Sequence, residues 1–156
     1  AHTARRRKDL FLDRESARAR LGSKPPMCTW TPETLDAYVA HGLADLPGGM
    51  LTLKCPKEVE AWNYELGGAC EVFEHFSELQ FEALIITGER SELGFLAQAQ
   101  RRRLSRGAFV EIAGAGHFIP QEMPQETARV LLEWFLEGTC QGMASGGKEA
   151  ANHSRT

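Results

Sequence analysis

The sequence predicts an α/β protein in which a helical region precedes a short block of parallel strands and helices. Residues 1–80 show helical patterns separated by Gly and Pro turns, whereas residues 81–137 contain two compact apolar runs separated by a helix-length segment. The composition, with 42% hydrophobic and 25% charged residues, is typical of one globular unit. Residues 138–156 are rich in Gly, Ser, Ala and charge without apolar periodicity, and we expect a disordered tail there.

Charge is distributed unevenly along the chain. The net charge is -3, yet residues 1–24 hold eight basic and three acidic residues, a local balance of +5, and the other ten basic and eighteen acidic residues leave -8. Such a basic segment could steer an anionic ligand or touch nucleic acid. The run from Asp13 to Gly22 instead resembles a capped, exposed helix without aromatic residues on which bases could stack. We therefore expect no nucleic-acid partner.

The rest of the first region contains helices and one extended segment. Thr31 is a good N-cap, Pro32 suits the first helical position and Gly42 ends the predicted helix. Residues 50–55 alternate in polarity, which predicts a short extended stretch, and residues 57–79 return to a helical pattern interrupted at the following glycine pair: Gly67 and Gly68.

The second region has the pattern of a βαβ unit followed by a helix. Residues 81–88 and 108–112 are apolar runs typical of buried parallel strands, and residues 93–105 form the helix between them. A final helix is predicted over 124–136. We expect it to place one apolar stripe on the sheet, made of residues at helical spacing: Ala128, Leu131, Leu132, Phe135 and Leu136.

Several classes of location and cofactor are not indicated by the sequence. No apolar run has the length of a membrane span, and the N-terminus has charges where a secretory signal has an apolar segment. The four cysteines show neither CxxC pairing nor metal-ligand spacing, and the histidines form no metal-binding pattern. We expect a cytoplasmic protein with reduced thiols, no membrane partner, no cofactor and no metal.

The candidate site is a histidine in a glycine-containing loop. His117 follows Gly114-Ala115-Gly116 directly beyond the second predicted strand, where open α/β sheets place their ligand crevices. Glycines allow a sharp turn that leaves the imidazole uncovered. A lone histidine is more often a core or cap-satisfying residue, but the flanking pattern here favours a functional one.

The segments around this histidine resemble the end of α/β-hydrolase sequences. The similarity lies in residues 85–91, 109–124 and the helix through Trp134-Phe135-Leu136, and it extends over about residues 81–137. The resemblance implies a partial α/β-hydrolase fold, with residues 1–80 as the helical lid, followed by the last parallel strands and the C-terminal helix. Four lid aromatics would then line the substrate entrance, unless they belong to the core: Trp30, Trp62, Tyr64 and Phe73.

The resemblance also assigns chemical roles. It implies that His117 is the general base, which takes a proton from a nucleophile and returns it to the leaving group. The family's acid often lies three residues after the strand-ending glycine, and here that position is Ser91, which cannot stay ionised. We prefer Glu92 as the acid; Glu89, an acid on an absent earlier strand, and an exposed loop role for Glu92 stay open.

The family's nucleophile is missing from the sequence. No GxSxG or GxDxG motif occurs, and the one GxCxG, centred on Cys140, follows the last helix instead of a buried strand and comes after the histidine. We interpret it as fortuitous. The oxyanion donors of the family also lie upstream, so the chain as given is expected to be catalytically incomplete and inactive by itself.

Two functions remain open at this level. The first is hydrolysis of a small, largely apolar ester or amide with His117 as base, once the missing part is supplied. The second is a non-catalytic binding or interaction protein that retains part of the fold. The first strand of the βαβ unit should have an unpaired edge, which predicts self-association and marginal stability of the isolated chain.

Overall fold

A computed structural model of the chain describes residues 1–67 and 71–137. The predicted tail at 138–156, Cys140 within it, and Gly68 lie outside the described residues. The N-terminal region, residues 1–67 with 71–80, consists of short helices and three short strands. In chain order these are α1 (His2–Arg5), β1 (Leu10–Phe11), α2 (Arg14–Gly22), a 3₁₀ helix (Met27–Thr29), α3 (Pro32–His41), β2 (Leu43–Asp45), β3 (Leu51–Leu53), α4 (Lys57–Leu66) and a second 3₁₀ helix (Glu71–Glu78).

The predicted helix caps of this region are confirmed. The Asp13 carboxylate accepts a hydrogen bond from the Ser16 backbone N–H at 2.7 Å, and this bond holds the pKa of Asp13 below its ordinary value. Thr31 Oγ1 accepts from the Thr34 backbone N–H at 3.3 Å, and Pro32 begins α3. Both helices end where a glycine was expected to end them, at Gly22 and Gly42.

A small antiparallel sheet closes the core of the N-terminal region. Its strand order is β1-β3-β2, and of these strands the sequence predicted only the extended stretch that contains β3. Strands of two or three residues are too short to show alternation of polarity. Their side chains meet those of α2 and α3 in one buried cluster: Phe11, Ala17, Met27, Leu35, Val39, Leu43, Leu51 and Leu53.

The C-terminal block, residues 81–137, confirms the predicted βαβ unit. It contains β4 (Ala83–Gly88), α5 (Gly94–Arg103), β5 (Gly107–Ile112), α6 (Ile119–Glu122) and α7 (Pro124–Glu137). β4 and β5 pair in parallel from Ala83 opposite Gly107 to Gly88 opposite Ile112. Among the described residues no strand pairs with the other edge of β4.

The predicted packing face of α7 is wrong. The residues of α7 that are buried are Thr127 and Val130, and Val130 joins a cluster with β5 and the loop after it. The expected stripe is exposed, with Leu132, Phe135 and Leu136 at 58%, 76% and 78% exposure. Periodicity identified an apolar stripe but not its partner, and the two-stranded sheet of the described chain lies against the other side of the helix. We call the exposed set, Ala128, Leu131, Leu132, Phe135 and Leu136, the α7 apolar face.

The N-terminal region contacts the C-terminal block at the histidine loop, residues 113–118. The Gln121 carbonyl accepts hydrogen bonds from the Thr31 backbone N–H at 3.0 Å and from Thr34 Oγ1 at 2.8 Å. The rings of Trp30 and Phe118 lie 5.7 Å apart between centroids. The start of α3 is therefore fixed against the element that follows the candidate histidine.

Candidate active site

The histidine loop begins where β5 ends and turns sharply. Gly114 has φ of +72°, a left-handed conformation that favours glycine. His117 lies on this loop with an exposed side chain. This position, outside the carboxyl ends of two paired parallel strands, agrees with the placement that the sequence predicted.

The histidine loop is hydrogen-bonded to the loop that follows β4. The Glu89 N–H donates to the Ile112 carbonyl at 3.0 Å, and the Arg90 N–H donates to the Ala115 carbonyl at 2.9 Å. The Glu89 carboxylate in turn accepts from the Gly114 N–H at 2.6 Å. Glu89, one of the acids that the sequence left open, therefore holds the backbone of the histidine loop.

The close approach of these two loops requires a glycine at the end of β4. A Cβ atom at Gly88 would lie 2.1 Å from the Gly116 carbonyl oxygen and 2.5 Å from that of Ala115. Both contacts are with backbone, which cannot move aside as a flexible side chain could. Gly88 thus sets the distance between the two loops.

Glu122 is a site residue that the sequence analysis missed. Its carboxylate accepts from the Gly116 N–H at 2.6 Å and from the Phe118 N–H at 3.2 Å, the residues on either side of His117. Charge-assisted hydrogen bonds of this kind are stronger than neutral ones. The only signal in the sequence was an acidic residue shortly after the histidine, which is too common a pattern to identify this role.

The imidazole has a serine hydroxyl as its neighbour. Ser91 Oγ lies 3.2 Å from His117 Nδ1, and the same oxygen accepts from the Leu93 N–H at 3.3 Å. When Nδ1 carries the proton it donates to Ser91 Oγ, and Nε2 is then free to accept a proton. In the described part of the chain Nε2 has no hydrogen-bond partner.

The carboxylate preferred in the sequence analysis lies apart from the imidazole. Glu92 is exposed, and within residues 1–67 and 71–137 no hydrogen bond or ion pair joins it to His117. Its role as the catalytic acid remains a prediction. The position that the resemblance marked for the acid, Ser91, is the one whose side chain contacts the ring.

A cavity of about 240 Å³ lies beside His117 at the ends of the strands. Its lining is mainly aliphatic, with Thr87, Ser91, Gln100 and the imidazole as polar exceptions. The aliphatic members come from β4, from α5 and the residue before it, and from α6: Ile85, Ile86, Leu93, Leu96, Ala97 and Ile119. A small apolar molecule could occupy such a space with its polar group toward His117 and Ser91.

The four aromatic residues that were expected to line the substrate entrance do not line this cavity. Trp30 packs on Phe118, next to the histidine, whereas Trp62 and Tyr64 are exposed on α4 at 56% and 64%. Phe73 stacks under the Arg103 guanidinium, 4.3 Å from its ring centroid. Only Trp30 therefore lies near the candidate site.

Two further properties of the described residues are relevant. No group of three or more His, Cys, Asp and Glu side chains within them is arranged to hold a metal ion. No helix that the structure describes combines the length and the apolar character of a bilayer-crossing segment.

His117 lies at the carboxyl end of paired parallel strands, beside an apolar cavity. Open α/β sheets usually have their ligand sites at this position. Neither a family model nor a curated protein matches the chain. Solved structures do match. They include the peroxisomal α/β-hydrolase Lpx1 of Saccharomyces cerevisiae, with a TM-score of 0.71 at 13% identity over 99% of this chain and 42% of that one.

Two more of the similar structures are also hydrolases. E-2-(acetamidomethylene)succinate hydrolase has a TM-score of 0.65 at 20% identity, over 80% of this chain and 46% of its own. An esterase of Mycobacterium tuberculosis has a TM-score of 0.58 at 12% identity, over 79% and 41%. The chain therefore has part of the α/β-hydrolase fold, as the sequence predicted. It spans less than half the length of each of these structures.

Proposed function

We propose that this chain provides the base-bearing part of a hydrolase that acts on a small, largely apolar ester or amide, with His117 as the general base. The observation that supports it most is an exposed imidazole, outside the ends of two parallel strands, beside an aliphatic cavity. The similar solved structures are named as hydrolases and an esterase, which favours this class of chemistry. In this proposal residues 1–80 form the lid.

The hydrogen bonds around the loop suit this role. Glu122 binds the backbone on both sides of His117, and in the tautomer with the proton on Nδ1, Ser91 Oγ accepts from Nδ1–H and leaves Nε2 as the basic nitrogen. Nε2 would take the proton of the nucleophile and later return it to the leaving group. An imidazole suits both steps because its ordinary pKa lies near neutrality.

The nucleophile is expected outside this sequence. We predict that the chain alone hydrolyses p-nitrophenyl butyrate no faster than buffer, and that His117→Ala and Ser91→Ala leave that background unchanged. A measurable rate that His117→Ala abolishes would show that the chain contains its own nucleophile.

The gene sequence upstream of Ala1 gives an independent test. A GxSxG, GxCxG or GxDxG between a predicted strand and a helix there supports the proposal, and a reading frame without one contradicts it.

The orientation of the ring can be tested without catalysis. Ser91→Asp places a carboxylate next to Nδ1, and an opposite charge at this distance raises the pKa of an imidazole by about one unit or more. NMR titration of the His117 ring protons measures the change, with Ser105→Asp, at an exposed position in the segment between α5 and β5, as the control. An unchanged pKa in Ser91→Asp would mean that the ring does not face position 91 in solution.

The same titration tests Glu92. If Glu92 is the acid that stabilises the imidazolium, Glu92→Gln lowers the pKa of His117, because an opposite charge favours the protonated form. Glu111→Gln is the matched control, since it removes an exposed carboxylate from the same block. Equal pKa values in the two variants would remove Glu92 from the proposed site.

A non-catalytic interaction protein is the second candidate. The observations that favour it are the α7 apolar face and the edge of β4 on which no described strand pairs, because exposed apolar patches and free strand edges bind partners. Self-association through these surfaces is its simplest form. Light scattering coupled to size exclusion tests it, and a monomer at all concentrations would speak against it.

We also propose that the protein is cytoplasmic. Cys28 and Cys55 are free and exposed, as is usual in reducing compartments. Fractionation of cells that express the chain tests the location, and recovery from the culture medium or the periplasm would contradict it.

A further inference from the structure

A second and larger cavity lies in the N-terminal region. Its volume is about 670 Å³, within the usual range for small-molecule sites. It is enclosed by α1, the segment between α1 and β1, α2, the segment at 24–27 and α4, and it shares no residue with the cavity beside His117. We call it the basic cleft.

Of the five Arg and Lys residues that line the basic cleft, four have no anionic partner among the described residues. Within the described residues, no ion pair or side-chain hydrogen bond involves Arg6, Lys8, Arg20 or Lys24, all of which line it. Glu60 is the one carboxylate among the lining residues, and it is bound to Arg7 at 2.7 Å. Unpaired like charges around one space repel each other, and an anion placed between them would relieve that repulsion.

Neighbouring cations of the same segment behave differently. Arg5 pairs with Glu58 and Glu65, Arg14 with Asp45, and Arg18 with Asp36. These paired arginines lie outside the basic cleft. Within residues 1–24, the cations outside the cleft are therefore ion-paired, whereas of the five that line the cleft only Arg7 is.

The inner surface of the basic cleft is apolar. Phe11 and Met27 lie at its base as part of the core, at 3% and 7% exposure, and the accessible wall above them is formed by Leu21 and the ring of Tyr64. Pro25 and Pro26 complete it without a backbone N–H that would need a partner. A ligand of this space would therefore combine an apolar body with an anionic end.

We infer that the basic cleft binds an amphipathic anion, an aliphatic chain that ends in a phosphate or a carboxylate. Arg20 and Lys24, with Arg6 and Lys8 of the segment between α1 and β1, would hold the head group. The accessible apolar wall would hold the chain: Leu21, Pro25, Pro26 and Tyr64. Nucleic acid fits less well, because a concave space with one exposed aromatic ring offers no stacking platform for successive bases. This inference goes beyond the hydrolytic function and does not depend on it.

The test is calorimetric titration of the full 156-residue chain. The probes are decyl phosphate and decanoate below their micelle concentrations, with inorganic phosphate and decanol as probes that each lack one feature. We expect saturable binding of at least one of the two decyl anions, and the one that binds more tightly identifies the preferred head group. Inorganic phosphate and decanol should each bind more weakly by about tenfold or more. Absence of binding, or equal binding of inorganic phosphate or decanol, would overturn the inference.

A matched pair of variants assigns the site. The double variant Arg20→Gln, Lys24→Gln should bind the decyl anion about tenfold more weakly, because two charge-assisted contacts are lost. Arg18→Gln removes a cation from the same helix outside the cleft and should leave the affinity unchanged, and circular dichroism checks that both variants are folded. An equal loss in Arg18→Gln, or binding only to anionic vesicles and not to the monomeric probes, would mean a general surface charge effect and would overturn the inference.

Discussion

The N-terminal region and the C-terminal block bury their apolar side chains in different ways. The N-terminal region closes its own core, in which Leu43 and Leu51 are each only 2% exposed, under a three-stranded antiparallel sheet. The C-terminal block has a parallel sheet of two described strands and leaves the α7 apolar face in solvent. The difference teaches that the described N-terminal region buries its apolar side chains in one cluster, whereas the described C-terminal block leaves an apolar helix face exposed.

The physical reason lies in the two kinds of sheet. An antiparallel sheet can be completed by neighbours in sequence and can leave one face in water, but parallel strands occur almost only where helices and further strands cover them. The similar solved structures are more than twice as long as the portion matched here, which agrees with a block that is incomplete by itself. Three predictions test this comparison.

The largest effect is expected in the core of the N-terminal region. Leu43→Ala should lower the free energy of unfolding by about 2–5 kcal/mol, because it removes a fully buried side chain from a closed cluster. Val130→Ala in the C-terminal block should cost less, because the removed volume is smaller. Urea unfolding measures both values, and a greater loss for Val130→Ala would reverse the proposed order.

An intermediate effect is expected at the contact between the two loops of the site. Gly88→Ala places a methyl group against the backbone of the histidine loop and should cost about 1–3 kcal/mol. It should also raise amide exchange in residues 113–118 while the N-terminal region stays protected, as measured by hydrogen-exchange mass spectrometry. Gly94→Ala is the control, because its Cβ would meet its nearest neighbour, Thr87 Oγ1, only at 4.0 Å. Equal exchange in both variants would contradict the argument.

The smallest effect on stability is expected at the α7 apolar face. Leu132→Gln with Phe135→Gln should change the free energy of unfolding of the monomer by no more than about 0.5 kcal/mol for each residue, since both side chains are exposed. The same pair should reduce self-association in sedimentation experiments. A large loss of stability with no change in association would indicate that this face is buried within the folded monomer.

The longer helices and the two parallel strands could be predicted because each is defined locally, whereas the short helices α1 and α6 were not predicted. Asp13 and Thr31 are caps that need only the next turn, and the strand pattern of 81–88 and 108–112 needs only composition. The short strands β1 and β2 could not be predicted, because two or three residues contain too little alternation. The hydrogen bond from Thr34 to Gln121 could not be predicted either, because the two residues are 87 positions apart in the sequence.

By itself, the sequence determined the fold class, the glycine-containing loop and the identity of the histidine on it, since these follow from periodicity, turn residues and a motif. Only the tertiary structure decided which side of α7 is covered, that Glu89 and Glu122 bind loop backbone, and that Ser91 is the neighbour of the imidazole. It also brought together the unpaired cations of the basic cleft. The reason is that a pattern reports what one segment would bury or bind, whereas the partner comes from a distant part of the chain.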